Sequence, residues 1–462
     1  MRGKREEGIC IMKNMTRRAF VGTSGLLAAT LAACSGNAAP AASGSAAGSS
    51  DEDQLAAYGD DNATVYWLNF KPEIADLLVE LAKDYEKATG VTIKVETAAS
   101  GTYEQTLTAR MDKEDQAPPL FVIGNQASVK SWGDYALDLA GTDIQAEEID
   151  DTYDLYDESG KLGSQGYCYE CYGIIVNKDL VEKAGHSLDE ITNFDGLKTV
   201  VEDIHSRASE LGFDAFTACD MSDDSSWRFT GHMANLEYFY EEKKAGAKWE
   251  ECPATITGEY LPNYKQLFDL CINNCTVDPG TLSTGGTYAN GQEFIDGKAA
   301  FDDQGSWQYA TYAAAPPNTV MIPYYCGVEG EEQAGLNCGT ENCWAVNANF
   351  DEDKQQKTID FMVWLVSDPD ASAKLVEQLG IMPFKNAAQS TNGYLNDAAT
   401  YTANGNYVMD WATNFQPNVD DYRKGLVSAL NAYCADQSDA NWDAVKTAFV
   451  DGWAKQYEKA NK

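Results

Sequence analysis

Histidine is nearly missing from this sequence: His186, His205 and His232 are the only three. Histidine-based catalysis therefore has few candidates, and no GxSxG elbow, HExxH motif or phosphate-binding GxxxxGK[ST] loop supplies another. Positive charge is also scarce, with 34 Lys and Arg against 72 Asp and Glu, a formal charge of −38. Residues 1–33 hold six of the basic residues and two Glu, and without them the balance is 28 against 70, or −42. Such a surface repels phosphate backbones and anionic headgroups, which argues against nucleic acid as a partner. By itself the acidity reads as a solvated, soluble exterior. Internal repeats are lacking too.

Met15 to Cys34, MTRRAFVGTSGLLAATLAAC, has a basic start, an apolar run of export-signal length and a small-residue approach to cysteine. It is too short to remain as a spanning helix. Leu31-Ala32-Ala33-Cys34 resembles a bacterial lipobox, so residues 1–33 are expected to be cleaved and Cys34 lipidated on the outer face of the cytoplasmic membrane. Thr16 to Phe20, TRRAF, resembles a twin-arginine signal, but paired arginines also occur in general secretory signals, and both routes stay open. Residues 34–61, rich in Ala, Ser, Gly and then Asp, bury too little apolar area to order themselves and read as a flexible tether.

Ten of the twelve cysteines remain once Cys10 leaves with the signal and Cys34 is lipidated. An even count outside the cell suggests disulfides, and Cys168/Cys171, Cys271/Cys275 and Cys338/Cys343 are close enough to pair locally. Free thiols are the alternative if the organism lives without oxygen. No histidine lies near these cysteines, so structural cysteines are preferred to zinc, and no metal or cofactor is expected. Asp220 to Asp224, DMSDD, lacks the spaced calcium-loop pattern and reads as a solvated loop.

The 462 residues exceed what one core usually supports, so two domains are expected. Thr64 to Asn69 reads as a strand. Pro72 suits a first helical turn, and Ile74, Leu77, Leu78, Leu81 and Tyr85 follow at helical spacing until Gly90. Val91 to Thr97 alternates as a strand, a polar helix covers about 103–113, and Leu120 to Ile123 is an apolar strand. This βαβαβ unit predicts a parallel sheet with helices on both faces, whose ligands sit beyond the strand ends. Asn69, Phe70, Asn125 and Gln126 occupy such positions, while Trp67 suits core or cleft.

Further along, Thr192 to Leu211 predicts an amphipathic helix, with Asn193 or Asp195 near its N-cap. Phe294 to Trp307, FIDGKAAFDDQGSW, reads as a turn at Gly297-Lys298, a short buried strand over Ala299 to Phe301, and a sharp bend at Gly305 that lets Trp307 project. Taken alone, Trp307 suits a core better than a ligand face, since large aromatics are mostly buried. Lys357 to Val366 reads as a helix, and Tyr401 to Val419 as a loop.

These segments together resemble the bacterial extracellular solute-binding proteins of the sugar-binding, maltose-binding-protein-like group. The similarity rests on Phe294 to Trp307, on Tyr172 to Gly185 (YGIIVNKDLVEKAG), on Cys343 to Asn347, on Phe361 to Phe384 ending GIMPF, and on Trp411 to Phe415 with the terminal segment from Trp442. It spans about 62–458 in family order. The resemblance implies an α/β, two-lobe periplasmic-binding-protein-like fold with discontinuous lobes and a ligand cleft between them. Lobe 1 is expected at 62–168 and 296–335, and lobe 2 at 169–295 and 336–462. It further implies a monomeric, non-enzymatic component of an ABC importer that binds a carbohydrate, in particular an oligosaccharide, and delivers it to a membrane permease.

Sugar recognition calls for aromatic faces above and below the ring and for carboxylates and amides at its rim. Trp307, Trp344, Trp227, Tyr172 and Trp411 are the stacking candidates. Glu170, Asp303, Gln304, Asn125 and Asn69 are candidate hydroxyl partners. The rivals are the same fold holding a peptide, polyamine or metal complex, and a secreted carbohydrate-active enzyme with two catalytic acids, for which no particular pair stands out.

Overall fold

The structure is a computed structural model that describes residues 56–98, 102–113, 115–218, 221–222, 226–284, 291–313 and 318–462. The expected signal, Cys34 with its expected lipid anchor, and most of the expected tether lie outside them, as do the aspartates of the 220–224 loop. Two mixed sheets carry the fold. The first contains β1 (Val65–Asn69), β2 (Ile93–Thr97), β3 (Leu120–Val122), β4 (Leu155–Tyr156) and β5 (Leu162–Gly166). The second takes β6 (Glu170–Asn177), β7 (Asp214–Phe216), β8 (Ala299–Gly305), β9 (Thr319–Ile322) and β10 (Ala334–Gly339). The chain then returns to the first sheet with β11 (Cys343–Val346) and to the second with β12 (Tyr407–Asp410).

The orders are β2-β1-β3-β11-β5-β4 and β12-β10-β6-β8-β7, with β9 also on β6. β1 runs parallel to β2 and β3, as the βαβαβ pattern predicts, whereas β11 is antiparallel to both β3 and β5. Residues 296–335 were expected in lobe 1, but β8 and β9 hydrogen-bond to β6, so this stretch builds the second sheet. Conversely β11, expected in lobe 2, fills the centre of the first. Among the described residues three connections pass between the lobes: 167–169, 340–342 and 380–392. They are tied together where Tyr167 N–H donates to Asn342 O at 2.9 Å and Tyr169 N–H donates to Ile381 O at 2.7 Å.

Helix α1 (Ala75–Thr89) forms as its pattern dictates. Pro72 opens a preceding turn, Leu78, Leu81 and Tyr85 bury one face, and Gly90 ends it at φ 76°. Each buried leucine contributes about 1.5–3 kcal/mol relative to exposure. The helix Phe194–Ser206 starts on Asn193, whose side chain accepts from Gly196 N–H at 2.9 Å. The helix expected at 357–366 runs Glu352–Ser367, and the expected loop 401–419 contains β12. Residues 58–61 do not belong to a tether: Tyr58 bridges the edge strand β2 through reciprocal backbone bonds with Val95 of 3.0 and 2.9 Å. Among the described residues no helix is long and apolar enough to cross a membrane.

The nine described cysteines are free, so none of the three local pairings forms. Cys168 packs in the first-lobe core and Cys343 is buried in β11 with its thiol 3.6 Å from Tyr153 O, whereas Cys171 and Cys338 belong to a small cluster on the second sheet. Cys275, past the end of the helix Leu261–Asn273, turns its thiol to Ile272 O and Val277 O, each 3.3 Å away.

Candidate functional site

β6 is antiparallel to β8 and β10, so its first residues meet the last residues of both at one edge of the second sheet. The carboxyl ends of β1 and β3 and the entry to β11 face that edge from the first sheet. Between them lies a cavity of about 670 Å³ lined from both sides.

Its aromatic wall comes from the second lobe. Trp227 and Trp307 meet edge to face at 5.8 Å, and His232 lies 4.8 Å from Trp227 and 5.2 Å from Trp307. A π-helical turn at Arg228–His232 follows Trp227 and brings Trp227, Arg228, Thr230 and His232 to the cavity. Burial, reinforced by Arg423, Arg228 and Lys71, holds the His232 imidazole well below its usual range and therefore neutral. Trp411 completes the wall.

Two glycines make room for this wall. Gly305 is extended (φ −122°, ψ 178°), so it is not the predicted sharp bend. Its requirement is spatial, because a Cβ there would lie 2.1 Å from the Trp307 ring. Gly339 serves Trp411 in the same way, with a Cβ falling 2.5 Å from that indole. The Trp307 Nε1–H donates to Gln304 Oε1 at 2.8 Å, which sets the indole's orientation.

The floor is polar. Lys71 Nζ lies 2.7 Å from Glu170 Oε1 and 3.1 Å from Glu73, and Asn342 Nδ2 donates to Glu170 Oε2 at 2.8 Å. Lys71 and Glu170 are only 5% and 3% exposed, so each is the other's main substitute for water. Burial raises the Glu170 carboxyl against the opposing pull of Lys71. Burial also disfavours the Lys71 charge, but Glu170 and Glu73 outweigh it and keep the amine protonated. On the walls, Arg423 donates to Gln416 Oε1 at 2.7 Å and pairs with Glu341 at 3.3 Å. Glu104 of α2 (Tyr103–Met111) accepts from Trp132 Nε1 at 2.6 Å. Its carboxyl is raised by burial, and burial also pushes Asp420 up to about 6.

Of the ten sugar-contact candidates named from sequence, Trp307, Trp227, Trp411, Glu170, Gln304 and Asn125 line this cavity, as does the strand-end residue Phe70. Asn125 also caps the helix α3 (Gln126–Trp132), accepting from Ser128 N–H at 2.8 Å. Four lie elsewhere. Trp344, in the central strand β11, stacks on Tyr167 at 4.3 Å in the first-lobe core beside Trp67. Tyr172 is fully buried behind the wall, stacked on His232 at 4.0 Å. Asp303 points inward to accept from the Tyr324 hydroxyl, and Asn69 donates to Lys71 O at 2.8 Å, shaping the turn beneath Lys71.

Sequence reasoning missed Lys71, His232, Arg228, Arg423, Asn342, Glu104 and Asp420. Lys71 had a signal, since it follows the strand-end pair Asn69-Phe70. Asn342 precedes β11, and finding it required knowing that this strand runs antiparallel. Among the described residues no cluster of three or more His, Cys, Asp or Glu is arranged to hold a metal ion.

Solved structures similar to this chain include the RafE binding protein in complex with raffinose, 18% identical, with 85% of this chain and 99% of that one covered at a TM-score of 0.63. A chitin oligosaccharide binding protein is 15% identical (86% and 99% covered, TM-score 0.64). A sugar transporter protein of Bacillus licheniformis in complex with stachyose is 16% identical (84% and 100% covered, TM-score 0.62). At these identities the likeness is one of fold, the two-lobe periplasmic-binding-protein-like architecture. Curated protein sequences give no match. The profile of the bacterial extracellular solute-binding proteins matches residues 80–404, more than half of the sequence, and the chain therefore belongs to that family.

Proposed function

We propose that the protein is the extracellular substrate-binding component of an ABC importer, taking a carbohydrate, in particular an oligosaccharide, into the interlobe cavity for delivery to a membrane permease. The observation that carries this reading is the pairing of the Trp227–His232–Trp307–Trp411 wall with the carboxylates and amides of the floor and opposite lobe. Aromatic faces cover the C–H patches of a sugar ring, while Glu170, Asn342, Glu104 and Asp420 meet hydroxyls at its rim. A neutral His232 accepts or donates a hydrogen bond without demanding a charged ligand. The solved relatives with raffinose and stachyose support the ligand class.

The mechanism follows from contacts divided between lobes. Lys71, Glu104 and Asn125 come from the first lobe, and the aromatic wall and Asp420 from the second. A ligand touching both favours the closed arrangement only by its extra affinity for that arrangement. The three connections at 167–169, 340–342 and 380–392 are where such motion would turn. Cys34 would tether the protein, as a monomer, to the outer face of the membrane.

The test is a thermal-shift and calorimetric screen of oligosaccharides, amino acids, polyamines and divalent ions. Binding of at least one oligosaccharide, without cleavage products on prolonged incubation, is the expected result. A response to polyamines alone would sink the sugar assignment, and released sugar fragments would turn the protein into an enzyme.

A further inference from the structure

We propose that Cys171 and Cys338 form a disulfide across β6 and β10 when the protein meets an oxidising exterior. The two residues stand directly opposite one another in the antiparallel ladder, with Tyr172 opposite Asn337 on one side and Glu170 opposite Gly339 on the other. Opposed residues share a sheet face, and both thiols pack with the same small cluster around Ile175, Leu336 and Tyr394.

The type of pair is legible from the backbone. Cys171 N–H donates at 3.1 Å to the hydroxyl of Ser306, which follows β8 on the far side of β6. In an antiparallel strand a residue's N–H and C=O point the same way, so toward β10 the pair Cys171/Cys338 is not hydrogen-bonded. Such pairs bring their Cα atoms to about 4.5 Å, inside the roughly 4.4–6.8 Å a disulfide spans. Both thiols are reduced here. Cys171 Sγ lies 3.5 Å from Tyr394 O and 3.8 Å from Met321 Sδ, and Cys338 Sγ lies 3.6 Å from Leu336 O. Side-chain rotation, with the strands held in place, is the movement needed.

The oxidant is a low-molecular-weight or protein disulfide. The Cys338 thiolate attacks one of its sulfurs, forming a mixed disulfide and releasing one thiol. The Cys171 thiolate then attacks Cys338 Sγ and releases the second. Two cysteines lose their protons to the departing thiolates, and one external disulfide is reduced to two thiols. The new bond clamps the start of β6 to the end of β10 beside Glu170 and Gly339, the glycine that makes room for Trp411, where one interlobe connection ends and another begins.

Incubation of the purified full chain with oxidised glutathione, followed by alkylation and non-reducing peptide mapping, tests this. The expected result is a species joining the Cys171 and Cys338 peptides, with a thermal midpoint roughly 3–8 °C above the reduced protein. C171S and C338S should each abolish both. Individual alkylation of Cys171 and Cys338 after oxidation, or a link from either to another cysteine, would overturn the proposal. The map is read on the unsubstituted chain, so it decides the matter even if a variant fails to fold.

Discussion

Replacing Trp307 with alanine separates a ligand-binding indole from a structural one. The side chain is half-buried, held by Gln304 on one edge and by Trp227 on another. A sugar face laid on it would cover about 60 Å² of apolar surface, worth about 1.5 kcal/mol at ~25 cal/mol per Å². Stacking adds about 0.5–1.5 kcal/mol by analogy with aromatic pairs. The total of about 2–3 kcal/mol corresponds to a roughly 30- to 140-fold rise in Kd. In the unliganded protein the truncation should cost only about 1 kcal/mol, well under the ~3–5 kcal/mol of a fully buried aromatic. Titration calorimetry with the oligosaccharide found in the ligand screen, alongside scanning calorimetry of the apo protein, gives both numbers. A collapse of apo stability with Kd unchanged within twofold would refute the reasoning and return Trp307 to the core. Gly305→Ala sharpens the test, because its Cβ would displace the indole without removing it and should weaken the same binding at least tenfold.

Trp344→Ala should behave oppositely, losing about 3–5 kcal/mol in denaturant unfolding while Kd below the transition stays within a few-fold. Lys71→Met strands the buried Glu170 without its counter-charge and should cost about 3–5 kcal/mol, much of it recovered in the double variant with Glu170→Met, as a double-mutant cycle would measure. Burial raises the Asp303 carboxyl from 3.8 to about 7. A raised carboxyl pKa favours the folded state fully below the unfolded value, and that contribution is lost as pH rises through the folded one, so this residue's share of stability falls between about pH 4 and 7. Asp303→Asn should flatten that slope and raise Tm at pH 8. A pH–Tm profile unchanged by the substitution would show that Asp303 is not the titrating group.

What the sequence revealed, and what it withheld, follows from whether the deciding interactions are local. Helix α1 was legible because Pro72, Gly90 and the apolar spacing all act within one segment. The division of strands between lobes was not. Whether β8 joins β1 or β6 depends on hydrogen bonds between residues more than a hundred positions apart, and no local pattern distinguishes the two. The same limit explains the cysteines, since nearness along the chain suggested Cys168 with Cys171 while the ladder sets Cys171 against Cys338. At the site, the family motif identified the strand that feeds the cavity but not the face each residue takes. Alternation sends Asp303 inward to Tyr324 and Gln304 outward to Trp307. Nominating both neighbours as ligand partners could therefore succeed for only one of them. Trp307 and Trp344 differ for a related reason: Trp344 lies within a central strand covered on both faces, whereas Trp307 stands two residues beyond the end of β8. The distance of an aromatic past its strand end, more than its identity, determines whether it can reach a ligand.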